Sequence, residues 1–266
     1  SLMNVTHVLR GQDHLANTPR QLLILRSLNL KEPLYGHIPL IIATLGDNKL
    51  SKREGSLSVK RLREQGFLPQ AILNYLARLG HYYANSNFLS HDQLAELFSL
   101  ENLGHSPARF DDNQLYFWQK EALSRLSQQE ILAWLGEEVW QNIPIELQSD
   151  FVETIKNNIL FPKDALEWKE IFFNGNLTYE SDIQQILKKT PTDYFSIASQ
   201  WFEQGKENLS EVFEQIKMQL GLKGKDLFQP LRCALTGKMH GPELHKIVKL
   251  IGHNKAILRL EKIKHL

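Results

Sequence analysis

From residue 66 to the carboxy terminus, apolar residues recur at i, i+3, i+4 and i+7, and no stretch alternates convincingly as a half-buried strand would. That periodicity commits most of the chain to helices packed on helices. Pro69 opens one helix with Ile72, Tyr75, Leu76 and Leu79 on a single face and Gly80 placed to end it. Ser90 is set to cap a short helix over residues 93–98, and Ser106-Pro107 begins a piece containing Phe110, Leu115, Phe117 and Trp118. A boundary is expected near residue 125, because Ser127-Gln128-Gln129-Glu130 has the spacing of a capping box before a new amphipathic helix. Toward the end, Thr236-Gly237 breaks one helix. Gly241-Pro242 precedes another, with Leu244, Ile247, Val248 and Ile251 on one face and Gly252 as its stop. The last helix should turn Ala256, Ile257, Leu260 and Ile263 inward and Lys255, Arg259, Lys262 and Lys264 outward.

The first 65 residues read differently. Val5, His7 and Val8 look like the end of a strand, which runs through Arg10-Gly11 into a helix that Thr18 caps and Pro19 begins. Leu22, Leu25 and Leu28 follow at helical spacing. Residues 38–42, Ile-Pro-Leu-Ile-Ile, have the short β-branched character of a buried strand with proline near its start. The turn cluster Gly46-Asp47-Asn48 leads into the basic loop Lys49-Leu50-Ser51-Lys52-Arg53-Glu54-Gly55. The expected fold class is therefore mainly α, an α/β remnant followed by an all-helical body.

Charge sharpens this division. The 266 residues carry 31 Lys and Arg against 30 Asp and Glu, a balance that by itself argues against a nucleic-acid partner. The balance hides a pattern: residues 1–65 hold 10 basic and 5 acidic side chains, residues 66–216 hold 10 and 22, and residues 217–266 hold 11 and 3. Since a polyanion responds to local potential over roughly 8–10 Å, basic ends around an acidic middle can still hold one. The single cysteine, Cys233, permits no internal disulfide and no Cys-rich zinc site, so a reducing cytoplasm is the expected compartment. No apolar run approaches the roughly 20 residues that span a bilayer, so no membrane partner is expected.

Two segments can carry chemistry. The loop at 49–53 places three cations and a hydroxyl where they can meet a polyphosphate, and lysine suits that task as a mobile point charge. The run from Thr6 to Gln21 puts Arg10 at the end of a strand, with Gln12, Asp13, His14 and Asn17 before a helix start. That is the carboxyl-end position where open parallel sheets bind ligands. Arg10 can grip a carboxylate through two parallel hydrogen bonds, which lysine cannot reproduce. His14 fits packing or capping better than general-base work.

Arg10-Gly11-Gln12-Asp13-His14 through Asn17-Thr18-Pro19-Arg20-Gln21, then Lys49 to Arg53, Gly66-Phe67-Leu68-Pro69 and Asn74-Tyr75-Leu76, closely resemble bacterial glutamyl-tRNA synthetases. So do Ser106-Pro107-Ala108-Arg109-Phe110-Asp111 and the late Ala234-Leu235-Thr236-Gly237 with Gly241-Pro242. The resemblance implies a class I ligase that activates glutamate with ATP and Mg2+ and transfers it to tRNA. It implies that Lys49 to Arg53 is the second class I signature, with catalytic roles for Lys49, Ser51 and Lys52. ATP contacts would fall to Ser51, Lys52 and Arg53, and the amino acid to Arg10. It also implies three regions: 1–65, the carboxy-terminal part of a Rossmann-type catalytic domain; 66–125, a helical stem-contact region; and 126–266, an all-helical anticodon-binding domain. A monomer without a zinc site is expected in this segment.

Gln12 stands where that family usually has Glu, so an acidic role there is lost. The family's first signature, a His-Ile-Gly-His-type motif, has no counterpart in these residues. With one half of a split nucleotide site, the 266 residues alone are expected to be inactive in aminoacylation. A strand and helix taken from a parallel sheet leave an apolar edge, so residues 1–50 should be the least ordered region or pair with something else. The alternatives are a non-catalytic tRNA-binding module and an unrelated helical interaction scaffold. The Ala234 to Gly241 motif reads as architectural, its Thr, Gly and Pro marking helix ends.

Overall fold

The computed structural model describes residues 3–42, 58–175, 177–206 and 208–263. The chain divides into two compact units, Ser1–Arg125 and Leu126–Leu266. The fold is mainly α.

In the first unit, strand β1 (His7–Gly11) pairs in parallel with β2 (Leu34–Ile38), with Arg10 opposite His37. Between them run a 3-10 helix (Gln12–Asn17) and helix α1 (Thr18–Ser27). Gly36 lies under the Leu9 side chain, whose terminal methyl would have to shift for a Cβ to fit. The expected strand at 38–42 is corrected. The ladder ends at Ile38, since Pro39 has no N–H to extend it, and only Ile41–Ile42 (β3) resumes, pairing in parallel with Ala108–Arg109 (β4). Thr18 is corrected as well. It is the first residue of α1 and not its cap, because the 3-10 helix runs straight into α1 and leaves no extended residue to cap from. Helix α1 buries no side chain, and Leu23, Ile24 and Leu28 are exposed.

The rest of this unit is a small helical body: α2 (Val59–Gln65), α3 (Pro69–Arg78), α4 (His91–Glu96) and α5 (Asp112–Leu123). Ala71, Ile72 and Tyr75 of α3 face Leu115 and Trp118 of α5 in the core. Asn74, 1% exposed, ties in the connecting loop: its amide donates to the carbonyls of Gln70 and Leu89, and its Oδ1 accepts from Leu89 N at 2.9 Å. Ser90 forms a full capping box with Gln93 at the start of α4.

The second unit opens with the capping box read from sequence. Ser127 Oγ accepts from Glu130 N, and the Glu130 carboxylate accepts from Ser127 N at 2.8 Å, starting α6 (Gln128–Leu135). Helices α7 (Glu137–Trp140), α8 (Ile145–Ile155), α9 (Pro162–Lys169), α10 (Ser181–Lys189), α11 (Thr192–Glu203), α12 (Leu209–Leu220), α13 (Lys225–Thr236) and α14 (Leu244–Ile263) follow. Their apolar stripes converge on Phe151, Phe172, Tyr194, Trp201 and Phe202, each less than 2% exposed. Helix α11 packs most extensively on α14. Gly252, at φ 73°, breaks α14 where a stop was expected, and the helix resumes beyond it.

One inside-outside expectation fails. Arg259 points inward and is 3% exposed, while Leu258 is exposed. The cause lies in the partners. A π-helical turn over Glu170–Asn174 and the end of α13 leave backbone carbonyls inside the unit, and buried carbonyls require donors. Arg259 donates to Leu235 O and Ile171 O, and half-buried Lys255 donates to Phe172 O and Phe173 O. Burial lowers the pKa of both cations.

Candidate functional site

Two places hold the residues singled out by sequence. The first is the mouth of the β1–β2 ladder. Register places Arg10 beside His37, and its Nη2 donates to Thr18 Oγ1 at 2.7 Å. Thr18 Oγ1 in turn lies 2.9 Å from His37 Nε2. The guanidinium carbon sits 4.9 Å from the centroid of the Tyr35 ring, which fixes its plane. Arg10 Nε is buried with no hydrogen-bond partner. A guanidinium has five donors, so this one retains capacity for an anion after its bond to Thr18. At this mouth the Asp13 carboxylate folds back over Gly11, where a Cβ would lie 2.5 Å from Asp13 Oδ1.

Gln12, Asp13 and His14 are exposed on the 3-10 turn, and His14 Nδ1 meets Asn17 Nδ2 at 3.3 Å. Tyr35 and His37 escaped the sequence reading. The available signal was their i, i+2 spacing in a segment flanked by apolar residues, which sets both on one face of a strand. Lys49, Ser51, Lys52 and Arg53 lie outside the described residues.

The second place is the corner between α13 and α14. Thr236 Oγ1 donates to Arg232 O at 2.7 Å and accepts from Lys238 N at 3.1 Å, while Gly237 adopts φ 67° and closes α13 through Cys233 O. Arg232 donates to Pro242 O, which ties the corner shut. Gly241 passes against Trp168 so closely that a Cβ would fall 2.4 Å from the indole ring. Trp168 itself is 5% exposed and stacks on Phe172, so it is a core residue and is not free to hold a base. Phe110 and Trp118 are also buried, while Phe117 is exposed. Beneath the corner, Tyr179 donates to Ala234 O at 2.9 Å, and burial pushes its phenol up to about 12. Burial pushes the Cys233 thiol up to about 11. Ala234 to Gly241 is thus held by hydrogen bonds within the unit.

Among the described residues no three His, Cys, Asp or Glu side chains converge as a metal-ligand set, and no helix is long and apolar enough to cross a membrane.

Two family models account for the chain in order. Residues 1–117 match tRNA synthetases class I (E and Q), catalytic domain, and residues 116–264 match an anticodon binding domain. The chain belongs to the class I tRNA synthetase family. Similar curated proteins include a glutamate–tRNA ligase 2 of Coxiella burnetii (strain RSA 331 / Henzerling II), 45% identical over 261 residues that make up 98% of this chain and 56% of the relative. Glutamate–tRNA ligase 2 of Nitrosococcus oceani is 44% identical over 98% of this chain and 55% of its own length. The chain therefore spans little more than half the length of these relatives. Among solved structures, a glutamate tRNA ligase from Elizabethkingia meningosepticum in complex with its amino acid superposes with a TM-score of 0.81 at 23% identity, covering 99% of this chain and 57% of that one. Glutamate-tRNA synthetase from Elizabethkingia anophelis gives 0.82 at 23% identity. These two share the fold, mainly α with few short strands.

Proposed function

We propose that the chain is the tRNA-binding portion of a glutamate–tRNA ligase, together with the late part of its catalytic domain. The observation that carries this reading is the ordered pair of family matches, catalytic domain followed by anticodon-binding domain, alongside relatives at 44–45% identity that bear that name.

In the reaction, a carboxylate oxygen of glutamate would attack the α-phosphorus of ATP and displace pyrophosphate, whose charge Mg2+ would offset, and the glutamyl group would then pass to a terminal hydroxyl of tRNA with release of AMP. Arg10, with donor capacity left over and its plane set by Tyr35, is proposed to hold a carboxylate of the amino acid. Ser51, Lys52 and Arg53 are proposed to seat ATP, with Lys49, Ser51 and Lys52 in catalytic roles. The charge of Lys52 acts most strongly where negative charge accumulates on the departing pyrophosphate. The 266 residues alone are proposed to bind tRNA without activating glutamate, since they offer one of the two phosphate-handling signatures. In this reading residues 1–65 belong to the catalytic domain, 66–125 contact the acceptor stem, and 126–266 hold the anticodon arm. The monomeric state and cytoplasmic location belong to the same proposal.

Glutamate-dependent ATP–pyrophosphate exchange tests the enzyme reading. No exchange is expected from the 266-residue chain, and exchange is expected once a segment bearing the first signature is supplied. Lys52→Ala in that complete enzyme should depress exchange far more than tRNA affinity, and equal loss in both would make Lys52 an RNA contact only. If exchange never appears while the chain still binds tRNA, the non-catalytic module reading stands in its place.

A further inference from the structure

A pocket of about 370 Å³ opens in the second unit between the end of α10 and the start of α13. Its floor is apolar, formed by Ile186, Pro191, Leu222 and Pro230. Its rim carries Lys189 and Lys225 with Gln229, and one carboxylate, Asp226.

Among the described residues, Lys189 and Lys225 are free of carboxylates, unlike several lysines of the unit. Lys156, Lys238, Lys246 and Lys249 each lie within 4.0 Å of a carboxylate, at 2.7, 2.9, 3.6 and 2.7 Å. Among the described residues Lys189 and Lys225 form no such pair, and neither do Lys163, Lys217 and Lys262, so what sets Lys189 and Lys225 apart is their place on the pocket lining. Unneutralised cations around an apolar hollow match a ligand that is anionic outside and flat and apolar within.

The helix itself adds two features. Pro230 has no N–H to give to the Asp226 carbonyl, so an acceptor is left at the pocket. Lys225, Gln229 and Arg232 fall at i, i+4 and i+7, so the pocket rim continues along one face of α13 toward the Pro242 corner. That stripe is about 10 Å long at 1.5 Å per residue, roughly the reach of two nucleotides of an extended strand.

We propose that this pocket takes one unstacked nucleotide of single-stranded RNA, its base on the Leu222–Pro230 floor and its flanking phosphates on Lys189 and Lys225. The proposal rests on the tRNA-binding reading above and places a specific contact within it.

The test uses the 266-residue chain and a glutamate tRNA transcript, with affinity measured across salt concentrations. The double variant Lys189→Gln, Lys225→Gln should weaken binding and flatten the log–log salt slope by about 1.4, since each single-strand phosphate contact accounts for roughly 0.7. Lys217→Gln, an exposed lysine on α12 away from the pocket lining, should leave the slope unchanged. Gln229→Trp fills the hollow without altering charge and should weaken binding severalfold at the wild-type slope, because the base can no longer enter. Wild-type binding with an unchanged slope in the double variant, or equal loss from Lys217→Gln, overturns the phosphate contacts. Undiminished affinity in Gln229→Trp overturns the base slot. Failure of the wild-type chain to bind tRNA overturns the tRNA-binding reading itself.

Discussion

Arg259 is where the architecture is most exposed to a single change. Its guanidinium is 3% exposed and donates to Leu235 O, at the end of α13, and to Ile171 O, in the π-helical turn. Arg259→Met keeps much of the volume and removes every donor. Two buried carbonyls then lose their partners, at about 1–3 kcal/mol each. Against this stands the relief of no longer burying a cation, whose lowered pKa records the cost of desolvation, and whose Nε has no partner even in the intact protein. Because the carbonyls stay in place and stay buried, the loss should win by about 2–4 kcal/mol. Urea unfolding followed by tryptophan fluorescence reports this unit selectively, since four of the five tryptophans (Trp134, Trp140, Trp168 and Trp201) lie in it. With an m-value of about 2 kcal/mol/M, the midpoint should fall by about 1–2 M. An unchanged or higher midpoint at constant m would show that desolvation of the guanidinium outweighs the two carbonyl bonds, and the account of α14 given above would be wrong.

Alkaline pH should loosen the same unit. Cys233 and Tyr179 titrate at about 11 and about 12 when folded, against ordinary values of 9.0 and 10.0, so the stability they contribute is intact below pH 9 and is lost progressively as pH rises from about 9 to 12. Unfolding midpoints measured from pH 8 to 11 should decline, and Cys233→Ala should remove the portion that begins near pH 9. Ser127→Ala removes the hydroxyl that accepts from Glu130 N, while the backbone N–H of residue 127 still donates to the Glu130 carboxylate, and should cost about 1 kcal/mol, read as a lower thermal midpoint; no change would mean water replaces the hydroxyl fully. Asn74→Ala strips the Leu89 loop of its donor and acceptor and should destabilise the first unit by about 2–4 kcal/mol, with faster amide exchange at Leu89 as the local sign.

Much of the helical body was legible because its signals are local. Ser127 and Glu130 are three residues apart and satisfy each other without help from elsewhere, so their geometry follows from spacing. The same holds for Ser90 with Gln93, for Gly237 at the end of α13 and for Gly252 inside α14. Thr18 misled because its capping character is real but was outbid. Its hydroxyl is engaged by Arg10 and His37, one from each strand, and neither contact can be read from the residues around Thr18. The strand at 38–42 misled because β-branching marks a residue's fitness for a ladder without saying which partner is present; the parallel partner of β1 is Leu34–Ile38.

Taken by itself, the sequence determined that the body is helical, where its capping boxes and glycine breaks fall and that the basic residues gather at the two ends of the chain, because each follows from neighbours along the backbone. Only the tertiary structure decided that Arg259 belongs inside, that Trp168 packs against Gly241, that Tyr35 and His37 stand beside Arg10, and that Lys189 and Lys225 line a hollow beside Pro230. A charged side chain on a helix is solvated unless something elsewhere requires its donors. For Arg259 that requirement lies 88 residues away, at the carbonyl of Ile171 in the π-helical turn.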